Sequence, residues 1–143
     1  MLVPFKVDHI DEVHAIERES FLSPWSKNQL LSYCGDQGKG KSFIYIKEKN
    51  IIGYLMSQRV LEEIHIHNIA VTKEYRRKCI GSKMLVDLFD YSSEQGVSKL
   101  CLEVKDSNIP AIQFYMSHGF APVGERKKYY DDGSNAILMD RTI

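Results

Sequence analysis

The sequence predicts an α/β fold, α+β in its mixture of parallel and antiparallel strands, and three observations carry that expectation. Apolar alternation marks strands near both ends of the chain and in its middle. Strand, helix and strand succeed one another between Glu62 and Val104, which demands a parallel crossover. Turns at Glu48-Lys49-Asn50 and at Asp131-Asp132-Gly133-Ser134 join strand pairs that supply antiparallel neighbours. The resulting order is β-αα-βββ-α-β-α-ββ, a central mixed seven-stranded sheet flanked by four helices.

The elements follow in chain order. Leu2–Val7 alternates weakly and reads as an edge strand despite Pro4. Asp8 reads as an N-cap, with Ile10, Val13 and Ile16 at helical spacing behind it. Ser23-Pro24-Trp25-Ser26 breaks that helix, and Ser26 caps the next, through Leu30, Leu31 and Cys34. The Gly/Lys-rich stretch Gly35–Lys41 is short enough to be a loop. Ser42–Lys47 and Ile51–Val60 form a hairpin. Glu62–Thr72 is a third strand, with Ile64 and Ile66 on one face and His65 and His67 on the other.

An amphipathic helix over Gly81–Gln95 carries the stripe Ile80, Met84, Leu85, Leu88 and Phe89, and Gly96 stops it. Val97–Val104 is a strand with Leu100, Leu102 and Val104 facing one way, Cys101 and Glu103 the other. Asn108 caps a helix with Pro110 in its first turn, running to about His118 before Gly119. Ala121–Tyr130 and Ala136–Thr142 are the final strands. Glu62–Thr72 and Val97–Val104 should be sheet neighbours, with helices on both faces and the ligand site at their carboxyl ends. No repeat or composition shift marks a boundary, so residues 1–143 read as one domain.

Bulk properties narrow the function. Lys plus Arg equals Asp plus Glu at 19 each, whereas a general nucleic-acid binder carries a basic excess. Cys34, Cys79 and Cys101 show neither CxxC nor zinc-ligand spacing, so reduced thiols in a cytoplasmic protein are expected. Lys6, Asp8 and His9 interrupt Met1–Ile10, unlike a signal peptide. No apolar run approaches the ~20 residues of a membrane span.

Arg76-Arg77-Lys78-Cys79-Ile80-Gly81-Ser82 lies after a strand and opens a helix. Free N–H groups and the positive dipole end form an anion site there, and three basic side chains add attraction. Gly81 and Ser82 let a phosphate approach the backbone. The loop is neither a Walker A motif nor a dinucleotide fingerprint, and a basic surface loop before an ordinary helix fits the heptapeptide equally well.

Asn68-Ile69-Ala70-Val71 followed by Arg76 to Gly81 resembles the acetyl-CoA motif of the GNAT superfamily: Arg or Gln, two residues, Gly, one residue, Gly or Ala. Leu102-Glu103-Val104 with Asn108, Ala111, Tyr115, Gly119 and Phe120 resembles the second half of that pattern. Pro24-Trp25-Ser26, Arg126-Lys127-x-Tyr129-Tyr130 and Ala136-Ile137-Leu138-Met139 are similar to the bacterial ribosomal-protein-alanine N-acetyltransferases, the Rim-I type. The resemblance covers nearly the whole chain and implies the GNAT fold. Two positions depart from it: Cys79 stands where the motif has its first Gly, and Lys73 where Pro is common. Either Cys79 is strained by positive φ, at about 1–2 kcal/mol, or its backbone is ordinary; the second is expected, because the basic residues and Gly81 remain. Cys79 is also expected to react with alkylating agents and to be protected by CoA.

The resemblance implies acetyl-CoA as co-substrate, Glu103 as general base and Tyr115 as the acid that meets the CoA thiolate. It implies that Ile69, Ala70 and Val71 offer main-chain groups to pantetheine, as an added strand would, with an N–H near Val71 as oxyanion donor. Arg76, Arg77, Lys78, Cys79, Ile80, Gly81 and Ser82 would hold the pyrophosphate, and Asn108 the pantetheine arm or its own helix. Taken alone, Glu103 fits an ion-paired surface residue and Tyr115 a core tyrosine. His65 and His67 make a weak metal pair without a third ligand, so no metal is expected, and they fit an acceptor groove better; Tyr129 and Tyr130 fit that groove and packing on the sheet equally well.

A protein α-amine has a pKa of about 7.7–8.0 against roughly 10.4 for lysine, so one carboxylate base suffices for it. A protein N-terminus is therefore the expected acceptor, and the subfamily resemblance alone points to the N-terminal alanine of the eighteenth small-subunit ribosomal protein. A lysine, a polyamine or a small-molecule amine is the alternative acceptor, and a non-catalytic acyl-CoA sensor the alternative class. No nucleic acid or membrane partner is expected, and the chain should be a monomer or weak dimer.

Overall fold

The computed structural model describes residues 1–35 and 41–143, so most of the expected Gly35–Lys41 loop lies outside the described residues. Seven strands form one sheet: β1 (Leu2–Pro4), β2 (Phe43–Lys47), β3 (Asn50–Val60), β4 (Glu63–Val71), β5 (Lys99–Lys105), β6 (Ala121–Arg126) and β7 (Ala136–Thr142). Their order is β1-β2-β3-β4-β5-β7-β6. β4 and β5 pair in parallel, as the crossover required, and every other recorded pair is antiparallel.

The helices are α1 (Ile10–Ser20), α2 (Lys27–Leu31), α3 (Ile80–Glu94) and α4 (Ile109–Ser117). They divide between the two faces. Ile80, Met84, Leu85 and Leu88 of α3 pack on Leu55, Ile64, Leu100, Leu102 and Val104, with Ala111 and Ile112 of α4 against the same cluster. Val13 and Ile16 of α1 and Leu30 of α2 pack on Ile44, Tyr54, Met56 and Ala70. Each fully buried large aliphatic side chain is worth about 1.5–3 kcal/mol, so both layers hold the sheet.

Local chemistry explains the ends. Ser26 Oγ accepts from the Gln29 amide at 3.2 Å and Gln29 Oε1 accepts from the Ser26 amide at 2.8 Å, a reciprocal capping box. Asp8 is not the expected cap: Val7–His9 is a 3-10 turn, and the Lys6 amide donates to His9 Nδ1 at 3.0 Å instead. That turn also ends the first strand at Pro4 rather than Val7. The sixth strand stops at Arg126, short of the expected Tyr130, because Lys128 turns the chain with a φ of 53°.

One irregularity positions the site. On β3, Met56 pairs with Asn68 while Ser57 pairs with Ile66, so His67 is an extra residue in β4. Such a bulge bends its strand. On the other side of β4, pairing with β5 runs only from Glu63–Lys99 to Ile66–Leu102. Beyond that point the two parallel strands part, and residues 67–71 have no recorded partner on β5. No helix among the described residues is long and apolar enough to cross a membrane.

Candidate active site

The parted strands open onto a groove of about 930 Å³ on the α1–α2 face. Phe21, Leu22, Ser23 and Trp25 form one wall, Val123, Arg126, Tyr129 and Tyr130 the other, and β4 and β5 the floor. Glu103 is the first residue of β5 past the last β4 pair. Its neighbours Leu102 and Val104 are buried in the α3-side core, so alternation turns Glu103 into the groove, as the sequence required. Its Oε1 lies 3.0 Å from Arg126 Nε and the side chain is 30% exposed. His65, His67, Tyr129 and Tyr130 line the same groove.

Tyr115 lies elsewhere. It rests against the α3-side core, with ring centroids 5.4 Å from Phe114 and 5.7 Å from Phe120. Burial pushes its phenol up to about 12, so it stays protonated at neutral pH. Against a thiol of about 8.5, full proton transfer to a thiolate is uphill.

At the far end of β4, the turn from Arg76 to Cys79 leads into α3, and Arg77, Lys78 and Cys79 are exposed. Cys79 is the N-cap of α3 with φ 61° and ψ 21°, a left-handed backbone, and no side chain caps the helix. This corrects the expectation of an ordinary conformation at Cys79. Arg77 also has a positive φ of 62° while Lys78 does not, so the turn alternates hand. Alternating backbones of this kind turn successive N–H groups toward one concavity that suits an anion. Among the described residues the amides of Arg77, Lys78 and Cys79 donate to no carbonyl in this turn.

Three predicted residues have structural duties as well. Arg76 donates from Nε to the Val71 carbonyl at 2.9 Å and from Nη2 to Ser20 Oγ at 3.0 Å, which ties the turn to β4 and α1. Gly81 lets α3 approach α4, because a Cβ there would meet Phe114 Cζ at 3.3 Å. Asn108 caps α4, its Oδ1 accepting from the Ala111 amide at 3.2 Å. Ile69 and Val71 pack on the α3-side core, Ala70 belongs to the α1-side core and Ile80 is 3% exposed, so these side chains are taken up by packing. Ser82 follows in the first turn of α3.

Sequence reasoning missed Glu17, which lines the groove yet is 1% exposed. Its Oε1 accepts from Asn68 Nδ2 at 2.6 Å and from the Tyr54 hydroxyl, and its Oε2 from the Trp25 amide at 2.9 Å. Burial first, then the bond to Glu17, drives the Tyr54 phenol far above its ordinary range, so it remains a donor. Glu17 thus ties α1, β3, β4 and the groove wall together. The signal was present: Glu17 follows Val13 and Ile16 on the buried stripe of α1. His67 shares the groove side with His65, as alternation placed it, and its ring lies 5.0 Å from Tyr33. The enclosing groove and then the charge of His65 lower its pKa, against an opposing pull from Glu103.

Comparison with known proteins shows the family. The Acetyltransferase (GNAT) family profile matches residues 10–120. A [ribosomal protein bS18]-alanine N-acetyltransferase of Haemophilus ducreyi is 37% identical over 128 residues, covering 87% of each chain. The crystal structure of the ribosomal-protein-S18-alanine N-acetyltransferase from Escherichia coli superposes with a TM-score of 0.92 at 31% identity, covering 100% of this chain and 93% of that one. The PaiA N-acetyltransferase of Thermoplasma acidophilum, solved with coenzyme A, shares the fold with a TM-score of 0.82 at 15% identity, over 100% and 98% of the two chains. The chain belongs to the GNAT family of acetyltransferases.

Proposed function

We propose that residues 1–143 act as one N-acetyltransferase domain that carries the acetyl group of acetyl-CoA to the α-amine of a protein N-terminus. The N-terminal alanine of ribosomal protein bS18 is the acceptor we favour, because the relatives above carry that activity in their names. One observation supports the reading most. Residues 67–71 of β4 have no recorded partner on β5, the chain leads on from them through the Lys73–Tyr75 turn to an uncapped helix N-terminus, and Glu103 stands on the groove side of the same gap.

The residues fit the co-substrate. An open strand edge offers N–H and C=O groups at regular spacing, which suits the two amides of pantetheine. The turn from Arg77 to Ser82 offers amides and cations to a pyrophosphate. Acetyl-CoA, when bound, supplies an activated thioester carbonyl. Glu103 receives the proton of the incoming amine, directly or through a water, and Arg126 holds its carboxylate toward the groove. The N–H near Val71 donates to the carbonyl oxygen as it gains charge. Tyr115 donates a hydrogen bond to the departing sulfur.

Two variants test the chemistry. Glu103→Gln and Tyr115→Phe should each lower kcat by about 100-fold or more, with acetyl-CoA affinity nearly unchanged. Full turnover in both would defeat the assignment. A peptide panel read by mass tests the acceptor. Peptides with a free N-terminal alanine should gain one acetyl group, and N-terminally blocked peptides none. Acetylation of blocked, lysine-containing peptides would move the reading to side-chain amines.

A further inference from the structure

The groove floor holds a second constellation, away from Glu103. Glu63 and His65 share one face of β4, and Cys101 stands opposite His65 on β5. Glu63 Oε1 lies 3.0 Å from His65 Nε2 and 3.7 Å from Cys101 Sγ. The ligating atoms of all three fall within 4.8 Å of one another. Tetrahedral zinc, with bonds of about 2.0–2.3 Å, sets neighbouring ligand atoms roughly 3.3–3.5 Å apart. The side chains already stand close to that spacing.

We infer that Glu63, His65 and Cys101 form a site for a borderline-soft divalent cation of the zinc type, and that an ion held there obstructs the acceptor groove. Imidazole and thiolate select such ions over magnesium or calcium. Binding replaces the Cys101 S–H proton, released to solvent, with a metal–sulfur bond; no electrons are transferred. Lys99 does not fill the position. Its Nζ lies 3.3 Å from Glu63 Oε2 and 3.3 Å from Asp140 Oδ2, which leaves Oε1 facing His65 and Cys101. Asp140 pairs with Cys101 across β5 and β7 and stands nearby for the remaining coordination position or its water. With a thiolate and a divalent ion added, Glu63, Asp140 and Lys99 sum to no net charge. The pair His65 and His67 is not this site: the cluster found among the described residues is Glu63, His65 and Cys101.

Cobalt(II) is the probe, since cobalt–thiolate absorption reports sulfur ligation. The expected result is one cobalt per chain with a sulfur-to-cobalt charge-transfer band, displaced by zinc and not by magnesium. Cys79→Ser, which removes the exposed thiol, should keep the band. Cys101→Ser should abolish it. His65→Ala and Glu63→Gln should each weaken binding by tenfold or more, since even loss of an outer partner costs about 10–100-fold. Absence of the band, or its survival in Cys101→Ser, overturns the site. A kinetic arm rests on the acetyltransferase reading: zinc should raise KM for the acceptor peptide and not for acetyl-CoA, and Cys101→Ser should be resistant. Binding without that change would overturn the obstruction alone, and the optical arm stands whether or not the enzyme reading does.

Discussion

Cys79 illustrates how a single backbone angle carries both stability and ligand chemistry. Its left-handed conformation costs a Cβ-bearing residue about 1–2 kcal/mol, while glycine adopts it freely. Cys79→Gly should therefore stabilise the fold by about 1 kcal/mol and raise Tm by roughly 2–4 °C. An unchanged or lowered Tm in a thermal melt would show that the turn relaxes to another conformation. Glu17 works in the opposite sense. Glu17→Ala strands three donors, from Tyr54, Asn68 and Trp25, and should cost about 2–3 kcal/mol in urea unfolding. His67 has a depressed pKa, so its contribution is present above the unfolded value of about 6.5 and is lost as pH falls through the lower folded value. Its ring should titrate by NMR with a midpoint below 6.5, and a midpoint above that would contradict the desolvating groove. Glu103 and Tyr115 were named from the sequence by resemblance. Glu17 was not, because apolar residues drew attention on a stripe where one buried carboxylate carried the structure.

At the scale of elements, the sequence revealed strands and helices through periodicity and hid the places where periodicity breaks. Ile64 and Ile66 face α3, and so do Ile69 and Val71, which is a change of phase across His67-Asn68. That slip in the apolar pattern is the bulge, legible afterwards because a strand must skip one residue to keep both pairs buried. The β2–β3 turn shows a similar limit. Glu48 and Lys49 both have positive φ, 52° and 69°, with Lys47 paired to Asn50, so a two-residue turn was read as three. Neither residue favours that geometry, whereas Asn-Gly does. Replacing Glu48-Lys49 by Asn-Gly should raise stability by about 1 kcal/mol or more, measured by denaturant midpoint at constant slope. A lower midpoint would mean that the charged pair stabilises the turn by some other route.

For the whole molecule, two apolar layers clamp a sheet whose central parallel pair is closed at one end and open at the other. The closed end, Glu63 to Ile66 against Lys99 to Leu102, fixes the groove floor. At the open end residues 67–71 have no recorded partner on β5, and the chain leads on through Lys73–Tyr75 to the α3 N-terminus. The crossover that makes this pair parallel was readable from element order alone, whereas the depth of the parting needed coordinates, since it depends on one bulged residue. Hydrogen exchange with and without saturating acetyl-CoA tests most directly whether the co-substrate lies in that gap. Slowed exchange concentrated at Ile69–Val71 and Arg77–Ser82 is the predicted result. Unchanged exchange at both segments, with protection elsewhere on the sheet, would contradict it.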